Sequence, residues 1–294
     1  MTSVSVESPH GGTAAGIVYG DIVDLTRAGE GRYTGVCHGG YVLSRAYGGS
    51  VLAHALAAAY DDVPPDRQVH SLHAYFLYAV DASGPAEFAT THVRDGSSYS
   101  VRRVDLEQRG REAFMMTASF KRPDRAGGVR RQPRLLDEPP GPEGLHDGFA
   151  DRGADSPIKH RLAWREVPPE MREAPRHAGP DGALERDGWL RILGDLGDLG
   201  AAHACGMAYL TDVTLAPTAF LRFPGGERPE GGSIASLDHA IWFHRPVRAD
   251  EWLLFRMSSR LEADGRTFAR GEVWSAAGEL VASTAQEAVF RMPD

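Results

Sequence analysis

The sequence predicts an α+β protein in which one unit, a buried helix enclosed by a curved antiparallel sheet, occurs twice. Three observations predict it. The first is Ala46–Tyr60, where the pair Gly48-Gly49 feeds a run of small apolar residues; from Val51 to Tyr60 only His54 is polar, so no solvent face can be drawn at helical period and the helix must be buried on nearly all sides. The second is that much of the remaining chain reads as strand, which supplies the wrapper. The third is an internal echo: Ala53-His54-Ala55 with Ala59-Tyr60 recurs as Ala202-His203-Ala204 with Ala208-Tyr209, Ser71-Leu72 as Ser236-Leu237, Asp95-Gly96 as Asp264-Gly265, and Phe120 with Pro123 as Phe290 with Pro293. Two such copies pair about a pseudo-twofold axis, as the subunits of a dimer do.

In chain order, residues 1–15 are rich in Ser and Gly and are expected to be mobile. Ile17–Leu25 alternates loosely and predicts an edge strand. Arg32–Arg45, containing His38-Gly39-Gly40-Tyr41, leads into the helix. Val69–Tyr78 reads as a central strand, with Glu87–Val93, Ser97–Leu106 and Glu112–Phe120 as three more. Arg94-Asp95-Gly96 and Gln108-Arg109-Gly110 supply hairpin chemistry between them. From Arg122 to Pro157 the composition turns to Pro, Gly and charged residues without periodicity, which predicts a connector between an N-terminal unit, 1–121, and a C-terminal unit, 158–294. The second unit reads as strands at Ile158–Val167 and Gly188–Leu193, with Arg172–Ala183 as a polar loop between them. A Gly-Asp-Leu repeat over Gly194–Gly200 leads into a helix over Ala201–Tyr209, and strands follow at Ser233–Phe243, Trp252–Leu261, Thr267–Ser275 and Leu280–Phe290.

Composition excludes several functions. At 42% hydrophobic and 24% charged the chain is globular, and its net charge of −8 opposes binding to a phosphate backbone, so nucleic acid is not an expected partner. The first twenty residues lack a basic start followed by an apolar core, and no run approaches bilayer length; a cytoplasmic protein without a membrane partner is the expectation. Cys37 and Cys205 have no CxxC or Cys/His spacing and read as buried thiols, so neither a metal nor a cofactor is called for. There is no G-x-S-x-G elbow, P-loop, G-x-G-x-x-G or H-E-x-x-H. His70 and His73, three apart on a strand, point to opposite faces and make poor joint ligands.

If duplication sets the scaffold, function should sit where one copy carries polar groups that the other lacks. Asp212 follows the second helix; ungapped alignment puts Val63 opposite it, and a one-residue gap puts Asp62 there. Ser236 has Ser71 opposite, and Gln286 has Met116. A carboxylate can take a proton from water while a hydroxyl and an amide fix that water's remaining hydrogen bonds, so a lone pair points at an electrophile. A thioester suits such a site, being reactive toward water without a metal. Its oxyanion needs donors, which the backbone N–H groups of Gly48 and Gly49 can supply from the other copy. Each residue also has an ordinary structural reading: helix cap, backbone-bonded serine, solvent-facing glutamine.

Beyond position and chemistry, the residues carry a resemblance. Arg45-Ala-Tyr-Gly-Gly-Ser-Val-Leu-Ala-His-Ala, Val69-His-Ser-Leu-His-Ala-Tyr-Phe-Leu, Arg94-Asp-Gly-Ser-Ser-Tyr-Ser-Val-Arg-Arg-Val and Met116-Thr-Ala-Ser-Phe resemble the N-terminal half of type II acyl-CoA thioesterases. Ser236-Leu-Asp-His-Ala-Ile-Trp-Phe-His-Arg-Pro, Glu251-Trp-Leu-Leu, Ala269-Arg-Gly-Glu and Leu280-Val-Ala-Ser-Thr-Ala-Gln-Glu resemble their closing motifs. The resemblance spans nearly the whole chain from Arg45, weakest in the connector and in Arg172–Gly200. It implies a double-hotdog fold, hydrolysis of acyl-CoA thioesters, further dimerisation into a homo-oligomer, and an Asp–Thr–Gln water site that falls on Asp212, Ser236 and Gln286. Serine in place of the family threonine keeps the hydroxyl and loses the methyl. Tyr47-Gly48-Gly49-Ser50 stands where the family has Phe-Gly-Gly-Gln, and Gly194–Gly200 replaces a longer segment. These departures point toward a changed acyl entrance, or toward a shifted substrate such as an acyl-carrier-protein thioester or a specialised biosynthetic intermediate. Two alternatives stand beside hydrolysis: a hotdog hydratase or dehydratase, which needs an Asp-His pair at the helix start, and an acyl-binding protein without turnover.

Overall fold

The computed structural model describes residues 16–40, 44–124, 131–135, 138–149, 156–171, 182–223, 226 and 228–291. The first half carries strands β1 (Gly16–Tyr19), β2 (Val23–Gly29) and β3 (Arg32–Gly35), helix α1 (Gly48–Asp61), then β4 (Gln68–Phe76), β5 (Ala86–Asp95), β6 (Tyr99–Gln108) and β7 (Arg111–Lys121). The second carries β8 (Leu162–Val167), β9 (Leu184–Ile192), helix α2 (Gly200–Thr211), β10 (Ser233–Ser236), β11 (Asp238–Phe243), β12 (Leu253–Ala263), β13 (Arg266–Ser275) and β14 (Leu280–Arg291). Residues 1–15 and 172–181, expected to be mobile and looped, lie outside the described residues.

All strands join one antiparallel 14-stranded sheet in the order β1-β2-β3-β5-β6-β7-β4-β11-β14-β13-β12-β9-β8, with β10 on β14. The halves meet at β4 and β11, where Leu72 pairs with Ile241. Outward from that seam, β4-β7-β6-β5-β3 is matched by β11-β14-β13-β12-β9, the double-hotdog arrangement of two helix-wrapping sheets. Register bears out the internal echo. Tyr75 pairs with Met115 in the first copy and Ala240 with Ala285 in the second; equating Ser71 with Ser236 therefore sets Met116 opposite Gln286, Ala74 opposite His239 and Phe114 opposite Thr284.

Both helices lie inside the sheet and against each other, which is why they consist of small apolar residues. Gly49–Ala59 of α1 and Ala201–Thr211 of α2 are buried without interruption, so Ala side chains let a sheet face and a neighbouring helix approach at once. Cys37 and Cys205 are buried thiols in this core. The β6–β7 turn has Arg109 and Gly110 at φ 57° and 73°, and the β12–β13 turn has Asp264 and Gly265 at 52° and 69°; two consecutive positive φ values define the primed turn that matches strand twist.

Two predicted strands are each two strands. Ile17–Leu25 is broken by a turn at Gly20 (φ 52°) into β1 and β2. Ser233–Phe243 is broken at Leu237: Ser236 pairs with Ala288, but Ala240 pairs with Ala285, so one extra residue is accommodated between them. Such a bulge reverses the side-chain alternation. His239 and Ile241 point inward beyond it, and Ser236, an even-numbered residue before it, is turned inward as well. In the first copy the bulge falls earlier, between Val69 and Ser71, and Ser71 pairs with Ser119 and the exposed Trp242 on the outer face. His70 and His73, expected on opposite faces, lie on the same outer face because His70 is the extra residue of this bulge: His70 Nε2 is 2.8 Å from Ser119 Oγ, and His73 lies edge-on to Trp242. Among the described residues no helix is long and apolar enough to cross a membrane.

Candidate active site

The antiparallel contact of α1 and α2 brings the start of one helix to the end of the other. A helix leaves its first N–H groups and last C=O groups without internal partners, and here each helix completes the other. Asp212, the C-cap residue of α2, accepts the Gly49 N–H of α1 on Oδ2 at 3.0 Å. In return, the Tyr47 hydroxyl donates to the Tyr209 carbonyl of α2 at 2.7 Å. The tyrosine in place of the family's phenylalanine is thus a cap, and Ser50 is fully buried with its hydroxyl accepting the His38 N–H at 2.9 Å. Removing the Tyr47 hydroxyl by Tyr47→Phe is expected to cost about 1–2 kcal/mol of stability, the worth of one buried hydrogen bond plus an orphaned carbonyl, read as a lower urea midpoint at unchanged slope.

The other carboxylate oxygen faces the sheet. Gln286 Nε2 donates to Asp212 Oδ1 at 2.6 Å and to Ser236 Oγ at 2.9 Å, and the Ser236 hydroxyl lies 3.4 Å from Asp212 Oδ1. The amide is oriented from behind: Gln286 Oε1 accepts the Ala216 N–H at 3.2 Å from the first residue of a 3-10 helix over Ala216–Arg222. With its oxygen engaged there, only the NH₂ can face Asp212. That short helix was not anticipated from sequence; Ala216-Pro217, with Pro at a helix start, was its one signal.

Sequence reasoning therefore named three side chains and two glycines that do lie together. Asp212 and Gln286 are buried and Ser236 is half-buried. Burial pushes the Asp212 carboxyl above its ordinary value, held back by the bonds from Gln286, Gly49 and Ser236. Its charge sits at the positive end of α1, which favours it, and at the negative end of its own helix, which does not. The glycines are required by space. A Cβ on Gly48 would lie 2.6 Å from Asp212 Oδ2 and 3.1 Å from the Phe76 ring; one on Gly49 would lie 2.4 Å from the Tyr209 carbonyl oxygen.

The gapped alignment of Asp212 is the one the helices follow, since Asp62 is the C-cap of α1. The copies thus differ less in having a carboxylate than in what surrounds it. Asp62 faces the buried guanidinium of Arg102 at 3.0 Å and His92 at 2.8 Å. Among the described residues the donors to Asp212 are all neutral: Gly49 N–H, Gln286 Nε2 and the Ser236 hydroxyl.

His38 clamps the start of α1 through its backbone, its C=O accepting the Tyr47 N–H at 2.7 Å, and burial holds its imidazole neutral with a pKa down to about 3. Among the described residues no His is paired with a carboxylate at the start of α1, so nothing described in the site favours the hydratase alternative. Among the described residues no group of three or more His, Cys, Asp or Glu is placed to hold a metal ion.

Two helix-in-sheet units joined edge to edge, with a desolvated carboxylate, a hydroxyl and an amide where one helix end meets the other, define a double-hotdog hydrolase. Comparison with known proteins gives the family. Residues 42–121 match the model of an acyl-CoA thioesterase N-terminal domain and residues 133–290 that of an acyl-CoA thioesterase C-terminal domain. Mouse acyl-coenzyme A thioesterase 8 is 32% identical over 96% of this chain and 94% of its own, and the human protein of that name is 34% identical over 84% and 81%. The crystal structure of the acyl-CoA thioesterase II TesB2 from Mycobacterium marinum superposes with a TM-score of 0.80 at 35% identity, covering 93% of this chain and 98% of that one. The chain belongs to the acyl-CoA thioesterase family, and it is a thioester hydrolase.

Proposed function

We propose that the substrate is an acyl-CoA and that Asp212 is the general base, with Ser236 and Gln286 placing the water. The observation that supports this most is the triangle of Asp212 Oδ1, Ser236 Oγ and Gln286 Nε2, with sides of 2.6, 2.9 and 3.4 Å, closed by a half-buried hydroxyl through which solvent can reach a desolvated base. Water that enters this triangle takes over one of the two Gln286 N–H bonds, donates to Asp212 Oδ1 and gives it a proton as its oxygen attacks the thioester carbonyl. The tetrahedral oxyanion forms beside the first turn of α1, where the Gly48 amide and the helix dipole favour negative charge; the Gly49 N–H, expected as a second donor, is already given to Asp212 Oδ2. As Asp212 is neutralised by the proton, the same dipole stabilises the charge that has moved to the substrate. Collapse breaks the C–S bond, the thiolate leaves and takes up a proton, and acid and thiol are released. We place the enzyme in the cytoplasm as a homo-oligomer; Tyr75 and Trp242, 55% and 39% exposed on the outer face of the central strands, support an interface there.

The test is thiol release from acyl groups of matched length carried by CoA and by an acyl carrier protein. Release from CoA thioesters is expected; release from carrier-bound thioesters alone would move the substrate to that class. A second expectation concerns pH. Only the carboxylate form accepts a proton, and burial raises the pKa, so kcat/KM should fall with acidification along a limb centred above the ordinary Asp value of 3.8. An acid limb at or below that value would remove Asp212 as the base.

A further inference from the structure

His239 of β11 is fully buried behind the reacting side chains. Its Nε2 lies 3.0 Å from Thr211 Oγ1 and 3.4 Å from Thr284 Oγ1. Its Nδ1 has no hydrogen-bonding partner among the described residues. The positions it links are informative. Thr211 immediately precedes Asp212 at the end of α2, Thr284 stands two residues before Gln286 on the same face of β14, and His239 itself follows Ser236 by three residues across the bulge. One imidazole on β11 therefore joins the end of α2, next to Asp212, to β14, which carries Gln286 and pairs with the β10 strand of Ser236.

Folding alone gives no reason for it. A buried polar atom without a partner opposes folding, and the first copy fills the matching positions without one: Ala74 stands opposite His239, Phe114 opposite Thr284 and Met116 opposite Gln286, all buried. The polar tie exists only in the copy that carries the reacting groups. Burial lowers the pKa of His239 to about 3, so the ring is neutral and holds both hydroxyls as a hydrogen-bonding group with no charge.

We propose that His239 is a positioning residue for hydrolysis, its Nε2 tying Thr211 to Thr284 so that the end of α2 is fixed against β14 and Asp212 Oδ1 stays within reach of Gln286. The inference rests on Asp212 being the base. It acts through the two threonines and makes no contact with substrate.

The experiment compares kcat, KM and melting temperature for His239→Leu, His239→Gln, Thr211→Val and the double variant His239→Leu/Thr211→Val, with Asp212→Asn run beside them. A leucine fills the site without the tie. It is expected to lower kcat by about 10–100-fold, the effect of a misplacement near 1 Å, while KM stays within about threefold and the melting temperature holds or rises. The glutamine amide reaches the place of Nε2 and should restore most of kcat. Thr211→Val should lower kcat and add little once His239 is Leu, because both remove one linkage. Wild-type kcat in His239→Leu overturns the proposal, as does equal impairment of the Leu and Gln variants with matching losses of melting temperature. Should His239→Leu fail to fold, Thr211→Val and Thr284→Val carry the same test: lowered kcat supports the tie and unchanged kcat overturns it. If Asp212→Asn remains active, the base assignment has failed; if it is inactive while His239→Leu is fully active, this inference alone has failed.

Discussion

Asp212→Asn is expected to lower kcat about 10²–10⁴-fold, the range for loss of a general base, with a much smaller change in KM. Asparagine has the same shape and one remaining acceptor, but it cannot take a proton from water. It also has one acceptor fewer for two donors, Gly49 N–H on one oxygen and Gln286 Nε2 on the other, so its NH₂ must face one of them. The loss should therefore exceed that of any change at Ser236, whose hydroxyl lies at the long distance of 3.4 Å from the carboxylate. Thiol release measured at saturating substrate, with circular dichroism to show an intact fold, checks it. A kcat within tenfold of wild type would falsify the assignment of the base.

The second large effect is structural. Gly49→Ala would set a methyl group 2.4 Å from the Tyr209 carbonyl oxygen and 2.5 Å from the Tyr47 ring. A carbonyl in the last turn of a helix cannot swing aside, so α1 and α2 must separate. Both cross-helix bonds then stretch together, Gly49 N–H to Asp212 and Tyr47 hydroxyl to Tyr209. The expected loss is about 3 kcal/mol of stability together with a fall in activity of at least about tenfold. Gly48→Ala makes a useful contrast, because its methyl group meets the Asp212 carboxylate itself, at 2.6 Å, and a side chain at 3.1 Å. It should depress kcat with a smaller shift of the urea midpoint. Equal stability losses in the two variants would contradict this division between backbone and side-chain collision.

What was legible in the sequence was set by local composition. A helix that is apolar all round must be enclosed, so Ala46–Tyr60 announced α1 and its wrapper; duplicated turns and strand ends gave the second copy, and counting back from Phe290 set Gln286 opposite Met116, as the strand registers do. What was not legible depends on contacts between distant residues. The break at Leu237 leaves no mark, because Ser-Ile-Ala-Ser and Asp-His-Ala-Ile-Trp-Phe are both good strand sequences, yet that bulge is what turns Ser236 inward while Ser71 faces out. The partner of Asp212 at Gly49 is 163 residues away. Asp62 and Asp212 are equivalent by position, and Arg102 on β6 and His92 on β5 distinguish a partnered carboxylate from a desolvated one. Nothing local in the sequence shows that the His239 ring reaches two threonines on other elements.

The central claim is that Asp212, Ser236 and Gln286 hold one water against the thioester carbon. The most direct measurement is a high-resolution structure of the enzyme with a non-hydrolysable acyl-CoA thioether bound. The account predicts one ordered water within hydrogen-bonding distance of all three side chains and about 3–3.5 Å from the carbon that stands for the carbonyl, on the line of attack. An Asp212 oxygen occupying that position, or a reacting carbon seated away from all three groups, would contradict it.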